Sequence, residues 1–230
     1  MRQLSLIFFL VLVVSCGRNT TEKETPVNDS PTLDAMEPVE PSDAVQDSPQ
    51  TAEDAERTEW QNPDFILQLL GNLEGKIVAD LGAGSGYFSF KIARQAGKVI
   101  ALDIDPRALD YIKEQKQIVG SWSENIEARL TPADVPNLTN NEVDIVLIVN
   151  TYTFVPNKKS YLPRLLAGIR PGGKLVIVDF KTGAIPVGPS DDFKMDADTM
   201  VQELEAAGFR SVEKDEQSLQ YQYIVTAVKE

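Results

Sequence analysis

The sequence predicts an α/β domain, a three-layer sandwich around a seven-stranded, mostly parallel sheet that ends in an antiparallel hairpin. Three observations predict it. Short apolar runs alternate with amphipathic stretches from about residue 58 to the end. One run, 143–149, is apolar at all but one position, as a central parallel strand buried on both faces must be. A glycine-rich turn joins the first strand to the helix after it.

Asn62-Pro63 opens a helix through Leu70, with proline in its first turn where a missing N–H costs nothing. Residues 76–80 form the first strand, and a helix follows the glycine turn over 87–95. The second strand is 98–103, Pro106 starts a helix to about 119, and 126–130 is the third strand. After the fourth strand at 143–149 comes a helix over 158–167, closed by Arg170-Pro171-Gly172-Gly173. Residues 174–180 are a second fully buried strand, and a helix over 196–207 stops at Gly208. Segments 211–216 and 222–229 form the terminal hairpin. No internal repeat is visible.

Upstream of the domain the chain changes character twice. Arg2 gives a positive start, and residues 4–14 are apolar except for Ser5, a run too short for a bilayer, which needs about 20 residues. It ends Val13-Val14-Ser15-Cys16-Gly17, which resembles a bacterial lipobox. The resemblance implies that residues 1–16 are a signal peptide with its lipidated cysteine. Acyl chains on Cys16 would anchor an exported protein to the bacterial membrane, on the periplasmic or cell-surface side. Residues 17–57 are rich in Pro, Ser, Thr, Asp and Glu, with proline at 26, 31, 38, 41 and 49. Such a segment buries too little apolar surface to offset its ordering entropy, so it reads as a disordered acidic tether with a reach of about 35 Å. The folded domain is then 58–230.

Charge narrows the function. The net charge is -13 and the pI about 4.5, which argues against a nucleic-acid partner because the phosphate backbone would be repelled. Histidine is absent, which removes His-ligated metals and imidazole bases. Cys16 is the only cysteine, so no intrachain disulfide or cysteine-rich metal site exists, and no metal is expected.

The sharpest motif is Asp80-Leu81-Gly82-Ala83-Gly84-Ser85-Gly86-Tyr87 between strand and helix. Glycines there permit a tight turn and let a ligand lie against bare backbone. Asp103 ends the next strand roughly 20 residues on, where a carboxylate can accept from both hydroxyls of a ribose. A dinucleotide site wants a small residue where Tyr87 stands, and a Walker loop wants Gly-Lys-Ser/Thr, which does not follow. The pattern fits a nucleoside ligand without a pyrophosphate.

Residues 78–106 resemble motifs I and II of class I S-adenosyl-L-methionine (SAM) dependent methyltransferases, which are Rossmann-like. The similarity extends from about residue 58 to the end, through Trp60-Gln61-Asn62-Pro63, the strand after Pro171-Gly172-Gly173, Pro186-Val187-Gly188-Pro189, and Leu204-Glu205-Ala206-Ala207-Gly208-Phe209. It resembles in particular bacterial lipoproteins with a methyltransferase domain. The resemblance implies SAM as cofactor. It places Gly82, Ala83, Gly84 and Gly86 along the methionine and ribose, and Asp80 at the methionine amino end. Asp103 would take the ribose hydroxyls, Ile104 would pack on the adenine, and Asp134 would receive the adenine amino group. Asn150, after the fourth strand, would sit where cofactor and acceptor meet, with Tyr152 beside it offering a hydroxyl or a π-face to the sulfonium.

One stretch departs from the family. Relatives tend to carry Asp-Thr-Tyr-His-His after the fourth strand, and here the run is Asn150-Thr151-Tyr152-Thr153-Phe154. Any base duty of those groups is lost. SAM is made in the cytoplasm and the leader directs the domain out of it. Three readings therefore stay open: a working methyltransferase for a small-molecule or protein acceptor, a non-catalytic SAM or nucleoside-binding module, and an envelope interaction protein on a retained fold.

Overall fold

The computed structural model describes residues 52–230; the leader, Cys16 and the tether up to residue 51 lie outside the described residues. The chain runs α1 (Ala52–Gln61), α2 (Pro63–Leu70), β1 (Ile77–Leu81), α3 (Tyr87–Ala93), β2 (Lys98–Asp103), α4 (Pro106–Val119), β3 (Ile126–Leu130), β4 (Val143–Val149), α5 (Lys158–Gly168), β5 (Ile169–Phe180), α6 (Ala197–Ala207), β6 (Arg210–Asp215) and β7 (Gln222–Val228). Among the described residues no helix is long and apolar enough to cross a membrane.

One 7-stranded sheet has the order β3-β2-β1-β4-β5-β7-β6. The first five strands of the chain are parallel, and β7 pairs antiparallel with both β5 and β6. This is the predicted Rossmann-like sandwich with its terminal hairpin. The chain builds outward from β1 to β3 and then returns to lay β4 on the other side of β1. That reversal opens a crevice at the carboxyl ends of β1 and β4, where sheets of this kind take their ligands.

Alternation along the strands splits the core into two layers. Val78, Val99, Leu147 and Val176 face α2, α3 and α4, while Ala79, Ile100, Val146 and Ile177 face α5 and α6. Each fully buried Val, Ile or Leu contributes roughly 1.5–3 kcal/mol relative to exposure, so the sheet is rigid enough to hold its carboxyl edge in register. Helices α2, α4 and α6 start at side-chain caps: Asn62 accepts from the Phe65 amide at 3.3 Å, Asp105 from Arg107 at 2.9 Å and Asp196 from Thr199 at 2.8 Å.

Two boundaries differ from expectation. Strand β5 begins at Ile169, running irregularly through Pro171-Gly172-Gly173 rather than starting after them. Helix α1 starts at Ala52, inside the segment read as tether, so the ordered domain reaches further upstream than residue 58. Among its described side chains, Asp54 and Gln61 are buried, and both are polar.

Candidate functional site

The glycine loop is pinned from below and bare above. Gly82 and Ala83 both donate their amides to the Leu102 carbonyl, at 2.8 and 3.0 Å, which ties the loop to the end of β2. Gly84 donates its amide to Asp103 Oδ2 at 2.7 Å, and Asp105 donates to the other carboxylate oxygen at 2.9 Å. At Gly84 φ is 53°, and an added Cβ would meet nothing within 4 Å, so naked backbone faces open space. Gly86 is different. Its φ is 87°, and a Cβ would lie 2.9 Å from Ile112 and 3.0 Å from Phe90. Its amide is used inside the loop, on the Ala83 carbonyl. Gly86 therefore lets α3 and α4 pack closely, and it does not line the cleft as the resemblance implied.

Beside the loop lies a cavity of about 270 Å³, lined by Gly82, Asp103, Ile104, Thr131, Ala133 and Phe154 among others. Its walls are mainly apolar, with one carboxylate at the loop end. That suits a flat heterocycle joined to a sugar. Ile104 is exposed into it, where a ring would cover it. Asp134 is exposed and off the lining, so the expected contact with an adenine amino group is not supported. The loop after β3 turns Thr131, Pro132 and Ala133 to the cavity instead, and the Thr131 hydroxyl holds that turn by donating to the Val135 carbonyl at 2.5 Å.

Across the Asn150-Thr151 turn is a second cavity of about 340 Å³, lined by Arg57, Trp60, Asn150, Phe180, Pro186 and Gly188 among others. Asn150 sits in the left-handed region at φ 56°, which swings its side chain to the end of β4. There it accepts a short hydrogen bond from Gln222 Nε2. The Trp60 and Phe180 rings meet at a tilt of 39°, 5.7 Å between ring centres. Helix α1 thus forms one wall, and it is tied to the glycine-loop helix by Thr58 to the Tyr87 hydroxyl at 2.6 Å and by Ser85 to Asp54 at 3.3 Å.

Asp80 lies under the loop, buried, and accepts from the Ser89 hydroxyl at 2.6 Å. Burial pushes its carboxyl up to about 6, while the Ser89 bond and the Arg57 charge pull the other way. Tyr152 does not reach the site. The short turn Tyr152–Phe154 tucks its ring fully into the layer under α5 and α6, where its hydroxyl donates to Glu203 at 2.8 Å and Lys158 covers one face at 5.2 Å. Burial and the Glu203 carboxylate raise its phenol far above its ordinary range, so it is neither base nor sulfonium partner.

Sequence reasoning missed Arg57, Trp60, Phe180 and Gln222 as site residues. The first lies in a segment whose composition reads as solvated, and the polar contacts of α1 leave no periodic apolar signal. Gln222 opens a buried strand, where a lone polar residue was the available hint. Among the described residues no group of His, Cys, Asp or Glu is placed to hold a metal.

Fold and site together define a nucleoside-binding α/β domain of the class I methyltransferase type. The methyltransferase-domain family matches residues 72–227, and the chain belongs to that family. It is 32% identical over 113 residues to a demethylmenaquinone methyltransferase of Tropheryma whipplei, covering 49% of this chain and 45% of that one. It is 30% identical over 162 residues to an arsenite methyltransferase of Halobacterium salinarum, covering 62% of this chain and 40% of that one. The chain thus spans less than half the length of these curated relatives. Among solved structures it is similar to a SAM-dependent methyltransferase from Aquifex aeolicus, with TM-score 0.70, 25% identity, and 76% and 93% of the two chains covered. It shares its fold with phosphoethanolamine N-methyltransferase 2 of Haemonchus contortus, TM-score 0.62 at 15% identity over 74% and 52%. Family and fold support SAM as the cofactor.

Proposed function

We propose that this protein is a SAM-dependent methyltransferase. The observation that carries the reading is the open backbone at Gly84 beside the Asp103 carboxylate at the mouth of an apolar cavity. Asp103 uses one lone pair per oxygen on backbone amides and keeps others for two sugar hydroxyls. Ile104 and the turn of Thr131 to Ala133 form the slot for the base. Arg57, on the wall of the second cavity, suits the carboxylate of a methionine tail, and the buried Asp80 under the loop supplies negative charge at its ammonium end. Asn150 stands at the boundary of the two cavities, facing the second, in which an acceptor fits.

The bound cofactor supplies a methyl group on a sulfonium, which a nucleophile takes by in-line displacement. The residues contribute alignment and exclusion of water, which for such a transfer can account for most of the acceleration. The test is calorimetry with S-adenosylhomocysteine followed by a labelled-methyl transfer screen. Binding with transfer supports the enzyme. Tight binding without transfer to any acceptor favours a sequestering module, and no binding removes the reading.

We further propose that the domain is held at the bacterial envelope by acyl chains on Cys16. The order of positive residue, apolar run, Ser15 and Cys16 supports this. Mass spectrometry of the protein from a lipoprotein-processing host checks it: the acyl mass is expected on the wild type and absent from Cys16→Ser.

A further inference from the structure

A chain of side-chain hydrogen bonds runs from helix α1 to the acceptor cavity, and its direction is fixed at one end. Arg57 Nε donates to Gln61 Oε1 at 2.5 Å. Gln61 Nε2 donates to Gln222 Oε1 at 2.9 Å, and Gln222 Nε2 donates to Asn150 Oδ1. A guanidinium can only donate. Gln61 must therefore present its oxygen to Arg57 and its nitrogen to Gln222, and the same polarity passes to Asn150. Gln61 and Gln222 are buried at 0% and 1% exposure, so neither can turn over to water without leaving a polar group unsatisfied. The consequence is that Asn150 offers the cavity its amide N–H groups.

The two cavities hold little that could remove a proton. Among the described residues that line them, the only carboxylate is Asp103, already engaged by the Gly84 and Asp105 amides. Burial raises the Tyr161 phenol well above its ordinary range and keeps it neutral. The chain has no histidine. What faces the second cavity is instead a guanidinium, an amide donor and the paired rings of Trp60 and Phe180.

We propose that the Arg57-Gln61-Gln222-Asn150 chain makes this a site for an acceptor that arrives already ionised, an aromatic or apolar oxyanion or thiolate, and not for an amine. This rests on the methyltransferase reading above. The acceptor's lone pair forms the bond to the methyl carbon as the carbon–sulfur bond breaks and its electron pair stays on sulfur. The anion's charge and the sulfonium's charge cancel, and no proton has to leave. An ammonium acceptor would first need a base, and would meet the N–H groups of Asn150 where it needs an acceptor. Gln61 and Gln222 are positioning residues in this scheme, acting through Asn150.

The test uses 4-nitrophenol, whose ionised form absorbs visible light, titrated with protein saturated in S-adenosylhomocysteine at a pH near the probe's own midpoint. The phenolate is expected to bind about tenfold tighter than the neutral phenol, so the absorbance rises on binding. Gln222→Met frees the Asn150 amide to turn and should abolish the rise, with S-adenosylhomocysteine affinity unchanged. Asn150→Asp places a carboxylate against the probe and should make the absorbance fall. Benzylamine should not displace the phenolate. A rise that survives Gln222→Met in full, an absorbance that fails to change in the wild type, or equal competition by benzylamine overturns the assignment. If Gln222→Met does not fold, the Asn150→Asp and benzylamine arms still decide. Failure of S-adenosylhomocysteine itself to bind would instead remove the cofactor reading.

Discussion

Asp103 accepts the Gly84 amide proton at 2.7 Å, so the carboxylate that suits a ribose also closes the glycine loop. Loop shape and sugar recognition therefore depend on one side chain. Asp103→Ala should weaken S-adenosylhomocysteine binding by roughly 30-fold or more, since hydrogen bonds to a charged group are worth about 1.5–3 kcal/mol each. Calorimetry reads this directly, and unchanged affinity would contradict the ribose assignment.

The buried Asp80 makes stability and binding respond to pH in opposite senses. Its folded pKa, about 6, lies above the ordinary 3.8. The native state thus holds the proton more tightly, and the resulting stability is present below 3.8 and lost as pH rises through about 6. Asp80→Asn, which keeps a partner for Ser89, should raise the melting temperature of the ligand-free protein above pH 6 and leave it unchanged below 3.8. The full effect is worth at most about 3 kcal/mol. S-adenosylhomocysteine affinity should do the reverse in the wild type, falling as pH drops through about 6, because the ammonium of its tail needs the ionised carboxylate.

Arg57 separates recognition of the tail from recognition of the nucleoside. Arg57→Ala should weaken S-adenosylhomocysteine about tenfold and leave adenosine binding unaltered. Equal losses for both ligands would place Arg57 in the packing of α1 on Tyr87, over whose ring its guanidinium lies at 4.7 Å.

The glycines should part fold from function. Gly86→Ala drives a methyl against Ile112 and Phe90, 2.9 and 3.0 Å away, at a φ that L-residues disfavour. It should cost about 2–3 kcal/mol in denaturant unfolding. Gly84→Ala meets nothing and should cost only about 1 kcal/mol, from its φ alone, yet it should weaken the cofactor more than Gly86→Ala does.

The sheet was legible because fully buried parallel strands such as Val143–Val149 leave no doubt about period or layer. Gly84, Asp103 and Ile104 were as easy to locate, since they lie at strand ends that short motifs fix. The second cavity was not. The described buried side chains of helix α1 are Asp54 and Gln61, both polar, so residues 52–57 read as solvated spacer. Asp134 and Tyr152 lie in turns, where one or two residues decide whether a side chain faces a cavity, the solvent or the core. Sequence spacing does not carry that rotation, so the burial of Tyr152 and the exposure of Asp134 are seen only in the structure. Gln222 acts through contacts with residues 72 and 161 positions away, which no local pattern encodes.

A crystal structure of the protein with S-adenosylhomocysteine tests the central claim most directly. The sugar hydroxyls are expected within hydrogen-bond distance of Asp103, with the nucleoside resting on the Gly84 backbone and its base against Ile104. Density for the ligand elsewhere, or an Asp103 carboxylate turned from the sugar, would contradict it.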